Sequence, residues 1–211
     1  KPIWKPGIVL STFGVFTTAA LTGTFIWFLS GQTWTAISFS FITSLLLAST
    51  MASTDSASVF AILGSQRMNL KHNIRPMLEL ESGSNDPMAY MLTIAMIQII
   101  QNSGNMSSSD ILTIVFNFIV QFGLGLIIGF VLAKAFVWII NVINLPNKTL
   151  YPILMLAFIF FIFALTEKFS GNGYLAVYVA GIVMGNCKLV EKKSISSFLD
   201  GLVWLVQIVM F

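Results

Sequence analysis

The chain has 211 residues, of which 56% are hydrophobic and only 9% charged, and its mean hydropathy is +0.88. A soluble domain carries about 25% charged residues, so this sequence cannot cover a water-facing surface and reads as an all-α polytopic membrane protein. The one cysteine, Cys187, excludes an internal disulfide and a cysteine-based metal cluster.

Taken in chain order, about seven apolar segments are expected to cross a membrane, each judged against the roughly 20 residues a helix needs. They are 8–30, 34–64, 76–101, 111–144, 151–166, 173–187 and 194–211. The joints "NSGNMSSSD", "NLPNKT" and "SGNG" carry turn residues. No soluble domain, low-complexity tract or nucleic-acid patch appears, and Lys1-Pro2 leads into an apolar run without a secretory leader. With the N-terminus in the cytoplasm, nine of the eleven basic residues fall on cytoplasmic ends: Lys1, Lys5, Arg67, Lys71, Arg75, Lys148, Lys188, Lys192 and Lys193. Lys168 lies outside, and Lys134 lies within the fourth segment. The positive-inside rule favours this orientation over its inverse.

Two segments exceed the bilayer. The second would run about 46 Å and the fourth about 51 Å at 1.5 Å per residue, against a hydrocarbon core of roughly 30 Å. The fourth can tilt; its Gly125 and Gly129 form a GxxxG that predicts close helix packing. The second contains "STMASTDSAS". Ser, Thr and Asp compete for backbone hydrogen bonds, which predicts a local unwinding near Thr54 and Asp55.

The third segment holds "LELESGSNDPMAY" (78–90), with three carboxylates and a proline in an otherwise apolar helix. Asp86 lies eleven residues beyond Arg75, about 16 Å into the membrane. Ser82, Asn85 and Asp86 are spaced i, i+3, i+4 and share one helix face. Pro87 cannot donate to the Gly83 carbonyl one turn back. A carboxylate, an amide, a hydroxyl and an unpaired carbonyl are hard oxygen ligands suited to a small cation. A mid-membrane Asp is costly and marks function. Glu79 is expected to pair with Arg75 four residues before it. Glu81 is either structural or polarises the site, and Asp55 either joins the site or caps a half-helix.

"STDSASVFAIL" followed by "LELESGSNDPMA" resembles the monovalent cation:proton antiporters, in the NhaP-type branch of the sodium/proton exchanger family. "SGNGYLAVYVAGIVMGN" and "FLDGLVWLVQIVMF" resemble the same family. The closest likeness is to bacterial potassium/proton or sodium/proton exchangers with cytoplasmic regulatory domains. The resemblance implies an inverted-repeat antiporter fold with a helix discontinuous near Thr54-Asp55, and a site of Asp86, Asn85, Ser82, Thr54, Glu81 and Asp55. Asp86 would carry ion and proton in turn, with Ser82 and Thr54 adding oxygens to the cation. Asn85 would mark electroneutral exchange, and Glu81 would act through water or orientation. The family has Pro after the Thr-Asp pair, where this chain has Ser56. Residues 1–102 would belong to the ion-binding core and 103–211 to linker and dimerisation helices of a homodimer in the cell's inner membrane. The chain stops in an apolar run at Phe211 and reads as a piece of the transporter, lacking its first helices and the second half of its core. No cofactor is expected beyond the transported sodium or potassium and the proton. A passive cation channel or another ion-coupled transporter is the alternative; an intramembrane aspartyl protease needs two acids in other local sequences.

Overall fold

The structure is a computed structural model that describes residues 4–32, 37–54, 59, 74–101, 108–143 and 145–210. Every regular element among the described residues is helical. Helix α1 (Trp4–Val9) passes through a π-helical turn (Leu10–Gly14) into α2 (Val15–Ser30). There follow α3 (Phe41–Thr50), α4 (Ile74–Gln101), α5 (Ser108–Val142), α6 (Leu150–Lys168), α7 (Gly173–Asn186) and α8 (Lys192–Met210). Among the described residues three stretches are long and apolar enough to cross a membrane: Lys5–Ser30, Leu112–Val142 and Leu150–Lys168. α3 and α7 are equally apolar but shorter, while α4 carries four charges and α8 has three in its first half. The chain divides into two compact units, Lys1–Phe118 and Ile119–Phe211.

In the first unit α2 packs along α3, α3 along α4, and α1 with the π-helical turn against α4. The turn begins where Ser11 Oγ and Thr12 Oγ1 both donate to the Ile8 carbonyl, at 3.2 and 2.7 Å. Such back-bonding loosens the regular ladder. Gly23 lets α2 approach α3: a methyl there would meet the Leu45 Cα at 3.1 Å.

The second segment is not one long helix. α3 begins only at Phe41, because Ser40 has extended backbone and its Oγ accepts from Thr43 N at 3.2 Å, a side-chain N-cap. Its end is also set by hydroxyls: Ser49 Oγ donates to Leu46 O and Thr50 Oγ1 to Leu47 O, both at 2.7 Å. Residues 51–54 then leave the helix. The expected unwinding therefore starts at Met51 and includes Thr54; Asp55 lies outside the described residues. α4, by contrast, runs through Pro87 without a break.

The second unit is built on a core of Ala133, Phe136, Ile140, Tyr151, Met155, Ile162, Ala176, Ala180, Met184 and Ile195. Phe136 and Phe158 stack with centroids 3.9 Å apart. The GxxxG reading holds. A methyl on Gly125 would lie 2.8 Å from the Asn172 carbonyl oxygen, and one on Gly129 would lie 2.8 Å from the Ala176 Cα and closer still to its oxygen. α5 and α7 thus touch backbone to backbone. α7 is started by Asn172, whose Oδ1 accepts from Leu175 N at 2.9 Å. At the other end of α5, Asn141 holds the loop before α8, donating to Lys188 O at 2.9 Å and accepting from Val190 N at 3.0 Å. Lys148, in the loop before α6, pairs with Glu191 at 2.7 Å. That hydrogen bond, and then the carboxylate's charge, raises the Lys148 ammonium above the usual lysine range.

A backbone contact has no side chain to yield. Gly129→Ala is expected to destabilise the protein by about 1–3 kcal/mol. Gly123→Ala on the same helix, where a methyl meets nothing within 4 Å, should leave stability unchanged or slightly higher. Thermal unfolding of both variants in detergent checks the pair; equal unfolding temperatures would contradict the close approach.

Candidate functional site

The site lies where the non-helical stretch 51–54 meets the middle of α4. α4 delivers Glu81, Ser82, Asn85 and Asp86 from just over one helical turn, so the four side chains fan over one side. Ser82 and Asn85 are fully buried, at 0% and 1% exposure, while Glu81 is half-buried and Asp86 is exposed. The stretch 51–54 delivers Ser53 and Thr54, which no longer follow a helical period and can point together at α4.

Asn85 is the hub. Its Nδ2 donates to Thr54 Oγ1 at 2.5 Å and to Glu81 Oε1 at 3.1 Å. Its Oδ1 lies 3.4 Å from Ser53 Oγ. Thr54 Oγ1 lies 3.3 Å from Ser82 Oγ. Ser53 Oγ also donates a short hydrogen bond to Asp86 Oδ1. The described segments are further joined by Thr93 Oγ1 donating to Ser49 Oγ at 3.1 Å. Among the described residues no buried side-chain nitrogen or oxygen lacks a partner. Lower on α4, Arg75 Nε and Glu79 Oε1 pair at 2.9 Å, both partly exposed, as the i, i+4 spacing predicts.

Of the six residues singled out in the sequence, five are drawn into one network: Thr54, Glu81, Ser82, Asn85 and Asp86. The sixth, Asp55, lies outside the described residues. Glu81 bonds to the hub amide and so fixes which way Asn85 points. Sequence reasoning missed Ser53. Its signal was its place beside Thr54 in "ASTD", but face arguments assume a helical period, which ends before it. Chemically the cluster offers two carboxylates, Asp86 and the Glu81 that is held by the Asn85 amide, and several neutral oxygens within a small volume. An all-oxygen donor set of this kind suits a hard cation or a proton.

The sequence profile described as the transmembrane sodium/hydrogen exchanger matches residues 1–211. The chain belongs to the sodium/hydrogen exchanger family and is a membrane protein. It is 34% identical over 206 residues to the K(+)/H(+) antiporter NhaP of Alkalimonas amylolytica, an alignment covering 98% of this chain and 34% of that protein. It is 36% identical over 209 residues to the K(+)/H(+) antiporter NhaP2 of Shewanella oneidensis, covering 99% of this chain and 34% of the relative. The chain therefore spans about a third of the length of these relatives.

The hub explains a stability expectation. Asn85→Ala removes the buried amide that donates to both Thr54 and Glu81, and should cost about 1–3 kcal/mol. Thermal unfolding in detergent reads this; an unchanged unfolding temperature would mean that the amide does not hold the two segments together.

Proposed function

We propose that this chain is part of a monovalent cation:proton antiporter in the cell's inner membrane, and that Asp86 alternately binds the cation and the proton. The observation that carries the reading is the Asp86 carboxylate, set with the Ser82, Thr54 and Asn85 side chains at a helix interruption, in a chain of the sodium/hydrogen exchanger family. The relatives named K(+)/H(+) antiporters support the class and favour potassium as a candidate beside sodium.

The mechanism follows from electrostatics. An uncompensated carboxylate is expensive to carry through a hydrocarbon barrier. A proton or a monovalent cation neutralises it, and the two cannot neutralise it at once. Only loaded states cross, so each passage of a cation one way is matched by a proton the other way. Thr54 and Ser82 supply neutral oxygens that replace water around the cation, and Glu81 keeps Asn85 oriented. Asp55, next to Thr54, completes the site on the same reading. In this proposal residues 1–102 serve the ion-binding core of an inverted-repeat fold, and 103–211 the linker and dimerisation helices of a homodimer. Broken helices at the midplane of inverted repeats, rocked between two sides, give alternating access.

The decisive substitution is Asp86→Asn in the full-length protein. It keeps size and hydrogen bonding but cannot ionise, so pH-gradient-driven sodium and potassium flux in proteoliposomes should fall to background while the protein still inserts. Asp86→Glu should keep partial exchange with a displaced pH profile. Near wild-type flux from Asp86→Asn would remove this carboxylate from the mechanism.

Stoichiometry gives a separate test. Asn85 contributes no charge and Glu81 is engaged with its amide, so on this proposal Asp86 is the one group that alternates between ligands. Exchange should be electroneutral, and an imposed membrane potential should leave the flux nearly unchanged. A net charge moved would be worth about 2.3 kcal/mol per 100 mV, so a steep voltage dependence would contradict one-for-one exchange.

A further inference from the structure

Ser53 was not among the residues the sequence pointed to, yet its hydroxyl is hydrogen-bonded to the Asp86 carboxylate. Its Oγ faces three acceptors: Asp86 Oδ1 in a short hydrogen bond, and Asn85 Oδ1 and the Thr54 carbonyl oxygen at 3.4 Å each. A serine hydroxyl has one proton to give and two lone pairs to accept with, and it rotates to suit. It can therefore meet one acceptor at a time, and the carboxylate is the nearest. The two more distant acceptors are where that proton can turn when Asp86 no longer needs it.

We propose that Ser53 is a positioning residue for ion and proton exchange: a hydroxyl rotor that serves both protonation states of Asp86 and lends an oxygen to the bound cation. This rests on the reading of Asp86 as the carrier. With Asp86 ionised, Ser53 donates to it and favours the charged form. With Asp86 protonated, the carboxylic O–H donates to Ser53 Oγ, and the serine proton swings to Asn85 Oδ1 or the Thr54 carbonyl oxygen. No buried polar atom is stranded in either state, and the proton count is unchanged by the rotation. With a cation at the carboxylate, the same Oγ lone pairs face it beside those of Thr54 and Ser82. The position suits this role because Ser53 lies in the non-helical stretch, so its hydroxyl is not committed to a carbonyl one turn back, as those of Ser49 and Thr50 are.

Among the described residues the charged groups that also bear on Asp86 are few. On α4 itself they are Glu81, bonded to Asn85, and Arg75, paired with Glu79. Of the described elements packed on α4, only α1 carries a charge, Lys5, two residues from Gly7, which lies against Leu80. None of these depends on the Ser53 hydroxyl, so a Ser53 variant isolates its contribution.

The test uses the full-length protein in proteoliposomes, with flux of sodium and of potassium measured across a pH series. Ser53→Ala removes the donor to the ionised carboxylate. The pH at half-maximal exchange should move to the alkaline side by about one unit, and the apparent KM for the cation should rise several-fold at fixed pH. The maximal rate at alkaline pH and saturating cation should stay within about twofold. Ser53→Thr keeps the hydroxyl and should restore the wild-type midpoint. A Ser53→Ala protein with wild-type midpoint and KM would overturn the proposal, as would a Ser53→Thr protein that behaves like the alanine variant. Should Ser53→Ala fail to fold, Ser53→Cys takes its place; its weaker donor should give a smaller alkaline shift, and no shift would again overturn the proposal. Asp86→Asn is run in parallel. If it loses exchange while Ser53→Ala is unaltered, the rotor fails and the carrier reading stands; if it exchanges normally, the carrier reading fails and the rotor with it.

Discussion

In hydrocarbon a backbone N–H or C=O without a partner costs several kcal/mol, and this constraint governs the first unit. Residues 51–54 leave the helix in a segment of membrane protein, so their polar groups must be met by something other than the helix ladder. Irregular backbone within a membrane is tolerated only against protein or a water-lined cavity. Here it rests against α4, at the turn where that helix places Glu81, Ser82, Asn85 and Asp86. The polar side chains of α4 and the interrupted segment therefore account for each other. Neither would be tolerable alone: a run of polar residues on α4 would face oil, and the stretch 51–54 would lack partners.

The same logic explains why Asn85 is the hub rather than Asp86. An amide donates and accepts at once, so it can tie Thr54, Glu81 and Ser53 together. A carboxylate can only accept until it is protonated. A scaffold that depended on Asp86 for its integrity would come apart each time that group changed state. By placing the neutral, doubly competent side chain in the buried position and the ionisable one at the exposed edge, the site on the proposed reading separates holding from titrating. The second unit is assembled on a different principle: tight apolar contact. Gly125 and Gly129 bring α5 against α7, and the polar ties are kept to its ends, at Asn172, Asn141 and the Lys148–Glu191 pair.

Much of this was legible in the sequence because it obeys a period. The i, i+4 pair of Arg75 and Glu79, the shared face of Ser82, Asn85 and Asp86, and the GxxxG contact all follow from helix geometry. The expected all-α architecture stands, and the helix ends fall within a few residues of those predicted, except at α3. There Ser40 acts as a cap that a hydropathy reading of Trp34 onward passes over, since Phe41 to Leu47 and the residues before them are similarly apolar. The π-helical turn at Leu10–Gly14 was also invisible, because Ser and Thr back-bonding changes the ladder without changing hydropathy. Ser53 escaped for the opposite reason to Asp86: it sits where no period applies, so only the fold could say which way its side chain points.

The division between holding and titrating bears on what kind of transporter such a site can serve. If a second carboxylate stood at position 85, it could not donate to Glu81 or Thr54, and it would place like charges on adjacent residues of one helix. The buried position would then need a cation to be stable, and the scaffold would become dependent on loading. With Asn85 the scaffold keeps its hydrogen bonds whether or not a cation is present, and on the proposed reading the charge to be neutralised before the site can move is that of Asp86. Electroneutral exchange and a loading-independent hub are on this view two consequences of one residue choice. The cost on that reading is that affinity rests on the Asp86 carboxylate and neutral oxygens. That makes the orientation of each hydroxyl, from Thr54 and Ser82 to Ser53, count for more than it would beside two charges.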